Sequence, residues 1–257
     1  MVKIGGELLE NPATISRLAR QIAVLQQCGL QAVIIHGAGK QVDAECQKRG
    51  LEIKKVDGRR ITDSATRDAV VDVMEIVNAE IQNALTLQGL SVTGMSDLKN
   101  RWPVMATLRQ PHNGTIDLGL VGDVQDFQQA ELTSGSITVL PSLGFHPEHG
   151  FLNINADTLS RQISSRLEVP KLIFMTGVSG VLSSLDAPGP ISQMTAKQAQ
   201  TLIDNGTAQG GMKAKLSEAI AALQSGVEQV HIISGKEPYT LLREVFTDEG
   251  CGTLITR

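Results

Sequence analysis

Short runs of β-branched and apolar residues alternate along the chain with longer stretches in which apolar residues recur every three or four positions. VKI (Val2 to Ile4) reads as a strand, and Asn11 to Gln27 as a helix with Ile15, Leu18, Ile22 and Leu25 on one face. LQAVIIHG is the next strand and Lys40 to Arg49 the next helix. DSATRDAVVDVMEIVNAEIQNALTLQG reads as a long helix opened by Asp63 or Ser64 as N-cap. The middle breaks this rhythm. Trp102 to Gln125 alternates apolar residues without a helical period and holds an Asn-Gly turn at Asn113-Gly114, which predicts a β-hairpin region over the main sheet. SITVLPSLGF and GFLNINAD resume the strand, loop, strand pattern, and TLSRQISSRLE is helical. KLIFMTG is a strand followed by a Gly/Ser/Pro-rich loop, Ser183 to Pro190. TAKQAQTLIDNG and KAKLSEAIAALQSG are helical, VEQVHIIS is a strand, TLLREVF a helix and GTLIT a short terminal strand. The alternation predicts an α/β fold with a largely parallel sheet, divided near Pro170.

Composition narrows the class. Of the 257 residues, 41% are hydrophobic and 19% charged, the balance of a soluble globular chain able to bury a sizeable core. Twenty-three basic and 27 acidic residues give a net charge of −4, so no global field attracts nucleic acid or an anionic membrane. Small anions need a local site. Aromatic residues, at 3%, are too few for a base-stacking surface. Cys28, Cys46 and Cys251 lie far apart, predict no zinc cluster and suit a reducing cytoplasm. No apolar stretch approaches the roughly 18 residues that span a bilayer, and MVKIGG lacks the pattern of a signal peptide. A cytoplasmic protein without nucleic-acid or membrane partners is expected.

Glycine-rich corners follow three of the expected parallel strands: IGGE (Ile4 to Glu7), HGAGK (His36 to Lys40) and TGVSG (Thr176 to Gly180). One glycine after a strand ordinarily makes a turn. Three together point to a ligand, because open α/β sheets bind ligands at the carboxyl ends of their strands. Helix N-termini there offer free N–H groups and positive partial charge to phosphate. Neither familiar phosphate motif fits HGAGK. A Walker A loop needs glycine at Ile34 and Ser or Thr at Gln41. The dinucleotide fingerprint accepts Gly37 and Gly39 but then meets Val42.

Candidate charge carriers surround these corners. Lys3, inside a short apolar strand just before Gly5-Gly6, is either edge-exposed or aimed into a site. Lys215 follows Gly210-Gly211-Met212 and Lys213 at the start of a helix, either solvated or functional. Asp157, in NINAD, is either an N-cap or a carboxylate that holds lysine ammonium groups, and Asn153 and Asn155 beside it suggest polar ligand contacts. DGRRITD (Asp57 to Asp63) carries two arginines, as paired surface charges or as a guanidinium fork for a substrate carboxylate.

Taken in order, KIGGELL, VIIHGAGKQVD, DGRRITD, IDLGLVGDV, LNINAD, TGVSGVL, GGMKAKL and the terminal GTLI resemble the amino acid kinase family over essentially the whole chain. DGRRITD, LGLVGDV and NINAD are specific to its acylglutamate branch. The resemblance implies a three-layer αβα sandwich around a central, mainly parallel sheet. Residues 1–170 would form an N-lobe for the acyl amino acid and residues 171–257 a C-lobe for ATP. The implied reaction moves the γ-phosphoryl group of ATP, which carries Mg2+, to the side-chain carboxylate of N-acetyl-L-glutamate, on the path to arginine. Lys3 and Lys215 would neutralise charge on the transferred group from opposite sides, with Asp157 orienting both. Gly5, Gly6, Gly37 and Ala38 would offer N–H groups to phosphate. Arg60 would grip the α-carboxylate, with Asn153 and Asn155 as further ligands of the acyl amino acid. Thr176, Gly177, Gly180, Gly211 and Met212 would line the ATP site, and no separate protein metal site is implied. A carboxylate nucleophile is ionised at pH 7, so catalysis rests on positioning and electrostatics and needs no general base. His36 is therefore read as a hydrogen-bonding strand residue.

Two positions depart from the family pattern. Ala38 occupies the middle of what is usually a glycine triplet, and alanine resists positive φ. Gly177 stands where the family has Asp in a T-D-V-x-G loop near the nucleotide. Both leave open a kinase for N-succinylglutamate or for carrier-linked aminoadipate or glutamate, or a nucleotide-binding regulatory module without catalysis. Only Met1 and Val2 precede Lys3, which predicts a homodimer insensitive to arginine, without the extra N-terminal helix of hexameric relatives.

Overall fold

In the computed structural model, which describes residues 1–56, 58–111, 114–132, 135–184 and 187–257, strands and helices alternate as the periodicity demands. β1 (Val2–Ile4) leads to α1 (Pro12–Gln27), β2 (Val33–His36) to α2 (Gly39–Lys48), and β3 (Lys55–Val56) and β4 (Arg59–Arg60) to α3 (Ser64–Thr86). β5 (Val92–Thr93), α4 (Met95–Leu98), β6 (Val104–Leu108), β7 (Gly122–Phe127), β8 (Ile137–Pro141), β9 (Leu143–His146) and β10 (Gly150–Asn153) fill the middle. α5 (Ala156–Arg166), β11 (Lys171–Thr176), β12 (Gln193–Thr195), α6 (Ala196–Asp204), α7 (Gly210–Gln224), β13 (Gln229–Ser234), α8 (Thr240–Phe246) and β14 (Thr253–Thr256) complete the chain. Helix starts follow local chemistry. Asn11 accepts the Ala13 N–H with Pro12 in the first turn of α1, Asp63 accepts the Thr66 N–H of α3, and Thr195 and Gln198 cap α6 reciprocally.

One sheet of eight strands, in the order β12-β14-β13-β11-β1-β2-β8-β5, carries the molecule. Its pairings are parallel except β13 with β14, where the terminal strand returns antiparallel. The three-layer α/β expectation holds. The sheet runs unbroken across residue 170, because β1 pairs with both β2 and β11. Its interior strands are buried beyond their first residues and mainly apolar, as a parallel sheet covered on both faces requires.

Register settles where β1 points its side chains. Lys3 lies level with Ile35 on β2 and Phe174 on β11. Parallel partners face the same side, and Phe174 packs with Leu216 and Leu223 of α7. Val2 and Ile4 face the opposite side and join Ile15, Leu18 and Leu241. Lys3 is therefore buried in a central strand, toward the face that bears α7.

The alternating middle forms a second, four-stranded sheet, β10-β9-β6-β7, with β6 and β7 antiparallel as expected. The Asn113 half of its anticipated turn lies outside the described residues. DGRRITD contributes β4, which pairs antiparallel with β3 just before the motif.

Candidate active site

Asp157 joins the two lysines. It sits in the first turn of α5, and its Oδ1 lies 2.7 Å from Lys3 Nζ and its Oδ2 2.7 Å from Lys215 Nζ. Lys3 comes from β1 and Lys215 from the second turn of α7, so three elements distant in sequence meet at one carboxylate. All three groups are largely withdrawn from water. Burial pushes Lys3 below its ordinary value; Asp157 pulls it back and Lys215 depresses it further. Burial acts likewise on Lys215, but Asp157 outweighs it and raises the net value. For Asp157 burial favours the neutral acid, yet the two ammonium groups dominate and hold it ionised well below the usual carboxylate range. The opposite directions of the two lysines follow from enclosure, since Lys3 lies within the sheet and Lys215 on a helix at its rim.

Asn155, expected among the substrate ligands, is the N-cap of α5. Its Oδ1 accepts the N–H groups of Asp157 at 3.0 Å and Thr158 at 3.1 Å, so that oxygen is committed to the helix. Asp157 is not the cap but the residue the cap positions. α7 is clamped on α5 one turn beyond Lys215, where Glu218 accepts hydrogen bonds from the Thr158 hydroxyl at 2.5 Å and Arg161 Nε at 2.6 Å. Sequence periodicity did not single out Glu218; its i, i+3 spacing from Lys215 was the available signal.

The glycine corners abut. A Cβ on Gly6 would fall 2.8 Å from the Gly39 nitrogen and 3.0 Å from Ala38 Cα, so only glycine admits this approach. Two expected phosphate donors are already engaged: Gly5 N–H donates to Met175 O and Gly37 N–H to Ile4 O, because the β ladder continues one residue past each strand. The donors left at this corner include those of the α2 N-terminus, which has no side-chain cap and whose first-turn N–H groups lack intrahelical partners. Ala38, its N-cap, has φ −147° and ψ 35°, so no positive φ is demanded and alanine fits. His36 is fully buried, its Nε2 3.0 Å from Asn78 Nδ2, and burial lowers its pKa to about 4, which leaves it neutral. Lys40 is exposed and pairs with Glu10 at 2.9 Å.

Arg60 is buried and held from α2, by Asp43 Oδ1 at 2.6 Å and Gly39 O at 3.2 Å. Its Nη1 is buried without a protein partner, a donor available to an incoming carboxylate. Near it three sequence motifs converge on Thr62, which the sequence reading missed. Thr62 N–H donates to Leu118 O, Leu120 N–H donates to Thr62 O, and Asn153 Nδ2 donates to Thr62 Oγ1 at 3.2 Å. DGRRITD, DLGLVGD and LNINAD thus form one wall.

On the far side of β1, Thr176 ends β11 and Gly177 follows it. Glu7 Oε1 accepts the Thr176 hydroxyl and the Gly177 N–H, both at 3.0 Å. Gly180 has φ 153° and touches the chain near Thr253 so closely that a Cβ would sit 2.7 Å from Thr253 Oγ1. Gly211 and Met212 lie within the first turn of α7 rather than before it, with Gly211 open and Met212 packed partly against the core. Among the described residues no cluster of three or more His, Cys, Asp or Glu is arranged to hold a metal ion, and no helix is long and apolar enough to cross a membrane.

Residues 1–234 match the profile of the amino acid kinase family. Acetylglutamate kinase of Symbiobacterium thermophilum is 34% identical, the match covering 100% of this chain and 91% of the relative. Acetylglutamate kinase of Acinetobacter baumannii is also 34% identical, over 100% of this chain and 88% of its own. Among solved structures, N-acetylglutamate synthase of Neisseria gonorrhoeae, in complex with coenzyme A and N-acetylglutamate, superposes with a TM-score of 0.88 at 27% identity. That match covers 100% of this chain but 58% of the synthase. Isopentenyl phosphate kinase of T. acidophilum shares the fold, with a TM-score of 0.64 at 17% identity over 99% of this chain and 98% of its own.

Proposed function

The chain belongs to the amino acid kinase family, and from that premise we infer that it phosphorylates the side-chain carboxylate of N-acetyl-L-glutamate with ATP, in arginine biosynthesis. The product is N-acetyl-L-glutamyl 5-phosphate. The observation that carries this reading is the Lys3–Asp157–Lys215 bridge. Two ammonium groups on one carboxylate leave a net positive charge at the junction of β1, α5 and α7, and phosphoryl transfer demands positive charge fixed where negative charge develops.

The residues divide by role. Arg60, with its unpartnered Nη1, takes the α-carboxylate of the acyl amino acid, and Asn153 on the Thr62 wall lies beside it. The side-chain carboxylate then approaches the α2 N-terminus as an ionised nucleophile, so no base is needed. Lys3 and Lys215 neutralise the transferred group, and Asp157 keeps both in place. Thr176, Gly177, Gly180 and the first turn of α7 receive the nucleotide. Residues 1–170 thereby serve the acyl amino acid and residues 171–257 the ATP, with β1 at the seam between them. Mg2+ supplies further charge neutralisation on the ATP phosphates when bound. The proposed assembly is a cytoplasmic homodimer.

Trapping the acyl phosphate with hydroxylamine tests the reading. Hydroxamate is expected with N-acetylglutamate and ATP, and much less with N-succinylglutamate or aminoadipate. ATP binding without turnover on any of them would overturn the kinase assignment in favour of a regulatory nucleotide-binding role.

A further inference from the structure

Glu7 is a carboxylate in a corner otherwise built for phosphate. Its Oε1 is held by two neutral donors, Thr176 and Gly177. Its carboxylate lies back over Gly5, where an added Cβ would fall 2.5 and 2.6 Å from the two oxygens. Beside it, Glu7 Cγ and Lys236 Cε fill the space of a side chain at position 177, at 3.3 and 3.2 Å from an added Cβ. The carboxylate that Gly177 lacks is thus borne by the neighbouring corner.

Charge counting gives this group a task. Lys3 and Lys215 against Asp157 leave one positive charge, with the Lys236 ammonium beside position 177, and ionised Glu7 offsets part of what this site offers to phosphate. Both Asp157 oxygens are engaged by lysines, whereas Glu7 pairs directly with neither lysine and acts on them only through its charge. Left in place, it would repel the phosphates of ATP. Burial opposes its ionisation, but its own backbone N–H, Lys3 and the Gly177 N–H keep its pKa below the usual carboxylate range. Mg2+ is a hard ion that keeps several waters and is bound through one or two carboxylates plus substrate phosphates. A single carboxylate oxygen beside the phosphate corner fits that demand.

We propose that Glu7 is the protein-borne ligand, direct or through a water, of the Mg2+ that accompanies ATP, and that it yields the Thr176 hydroxyl and Gly177 N–H to phosphate when the metal nucleotide enters. The inference rests on the ATP-kinase reading above. It makes nucleotide affinity depend on the metal through one residue, since without Mg2+ Glu7 opposes the phosphates and with it Glu7 joins them.

Calorimetric titration with a non-hydrolysable ATP analogue, in excess Mg2+ and in EDTA, separates the possibilities. In the parent, Mg2+ is expected to tighten binding. In Glu7→Gln that enhancement shrinks roughly tenfold or more, because metal-bound affinity falls while metal-free affinity is kept or rises. An enhancement unchanged in Glu7→Gln, an equal loss with and without metal, or no enhancement in the parent would overturn the proposal. The double variant Glu7→Ala/Gly177→Asp, which returns a carboxylate from the other strand, is expected to recover the Mg2+ dependence. Its remaining metal-independent counts against the proposal as well. A parent that binds no analogue under either condition would remove the ATP-kinase reading itself.

Discussion

Lys3 shows how one side chain acquires a role from its position. In water a lysine is an ordinary cation with a pKa near 10.4. Placed in a central strand level with Ile35 and Phe174, it loses hydration and keeps its charge only because Asp157 lies 2.7 Å away. Burial lowers its pKa, so it is the first lysine of the site to lose its proton as pH rises. Turnover is therefore expected to fall on the alkaline side with an apparent pKa below that of free lysine. Lys3→Arg, if active, moves that limb upward, because arginine stays protonated. A pH–kcat profile checks this, and an alkaline limb unmoved in Lys3→Arg would assign it elsewhere. From its local pattern Lys3 was legible as a choice between an exposed edge and a site, which the family resemblance resolved toward the site and the neighbouring strands explain physically. Glu7 was not legible at all, since its role depends on Thr176 and Gly177, about 170 residues away.

Elements carry the precision of the site. α5 begins at a cap whose oxygen fixes the Asp157 N–H, and α7 is docked on α5 through Glu218 one turn beyond Lys215. Asn155→Ala is expected to cost about 1 kcal/mol, the worth of an N-cap, and to lower kcat by loosening Asp157. Asn155→Ser, which can still cap, is expected to retain both stability and the KM for the acyl amino acid. Denaturant midpoints with steady-state kinetics test the pair; a raised KM with unchanged stability in Asn155→Ser would return Asn155 to the substrate. Helices with strong periodicity or caps, such as α1, α3 and α6, were readable to within a few residues. The β3–β4 pair and the two-residue β5 were not, because strands this short leave no period to detect.

Across the whole molecule the sheet is continuous, and the Asp157 pairs tie the face of β1 to α5 and α7. Removing one partner of a buried pair leaves the others uncompensated, so Asp157→Asn is expected to lower stability at neutral pH by roughly 3–5 kcal/mol. The pH dependence has a definite sign. The folded-state pKa of Asp157 is depressed, so its contribution is fully present above its unfolded value, near pH 4, and is lost as pH falls toward the folded value. Urea midpoints followed downward from pH 5 are expected to converge for parent and variant, and curves that stay parallel would show that Asp157 adds no linked stability.

The sequence by itself determined the alternation of elements, the α/β class and the three glycine corners. Each of these is local: periods of two and of 3.6 residues, and turns that only small residues allow. It also held the motifs by which the family resemblance was legible. The resemblance implied which charges meet, and the tertiary structure decided how they meet. Lys3, Asp157 and Lys215 are scattered over more than two hundred residues, and only parallel strand order and register bring them to one carboxylate. The same is true of Thr62 beneath three motifs, of glycine N–H groups taken up by the ladder, and of Glu7 folded into the phosphate corner. These are long-range contacts, and a chain read residue by residue has no period that encodes them.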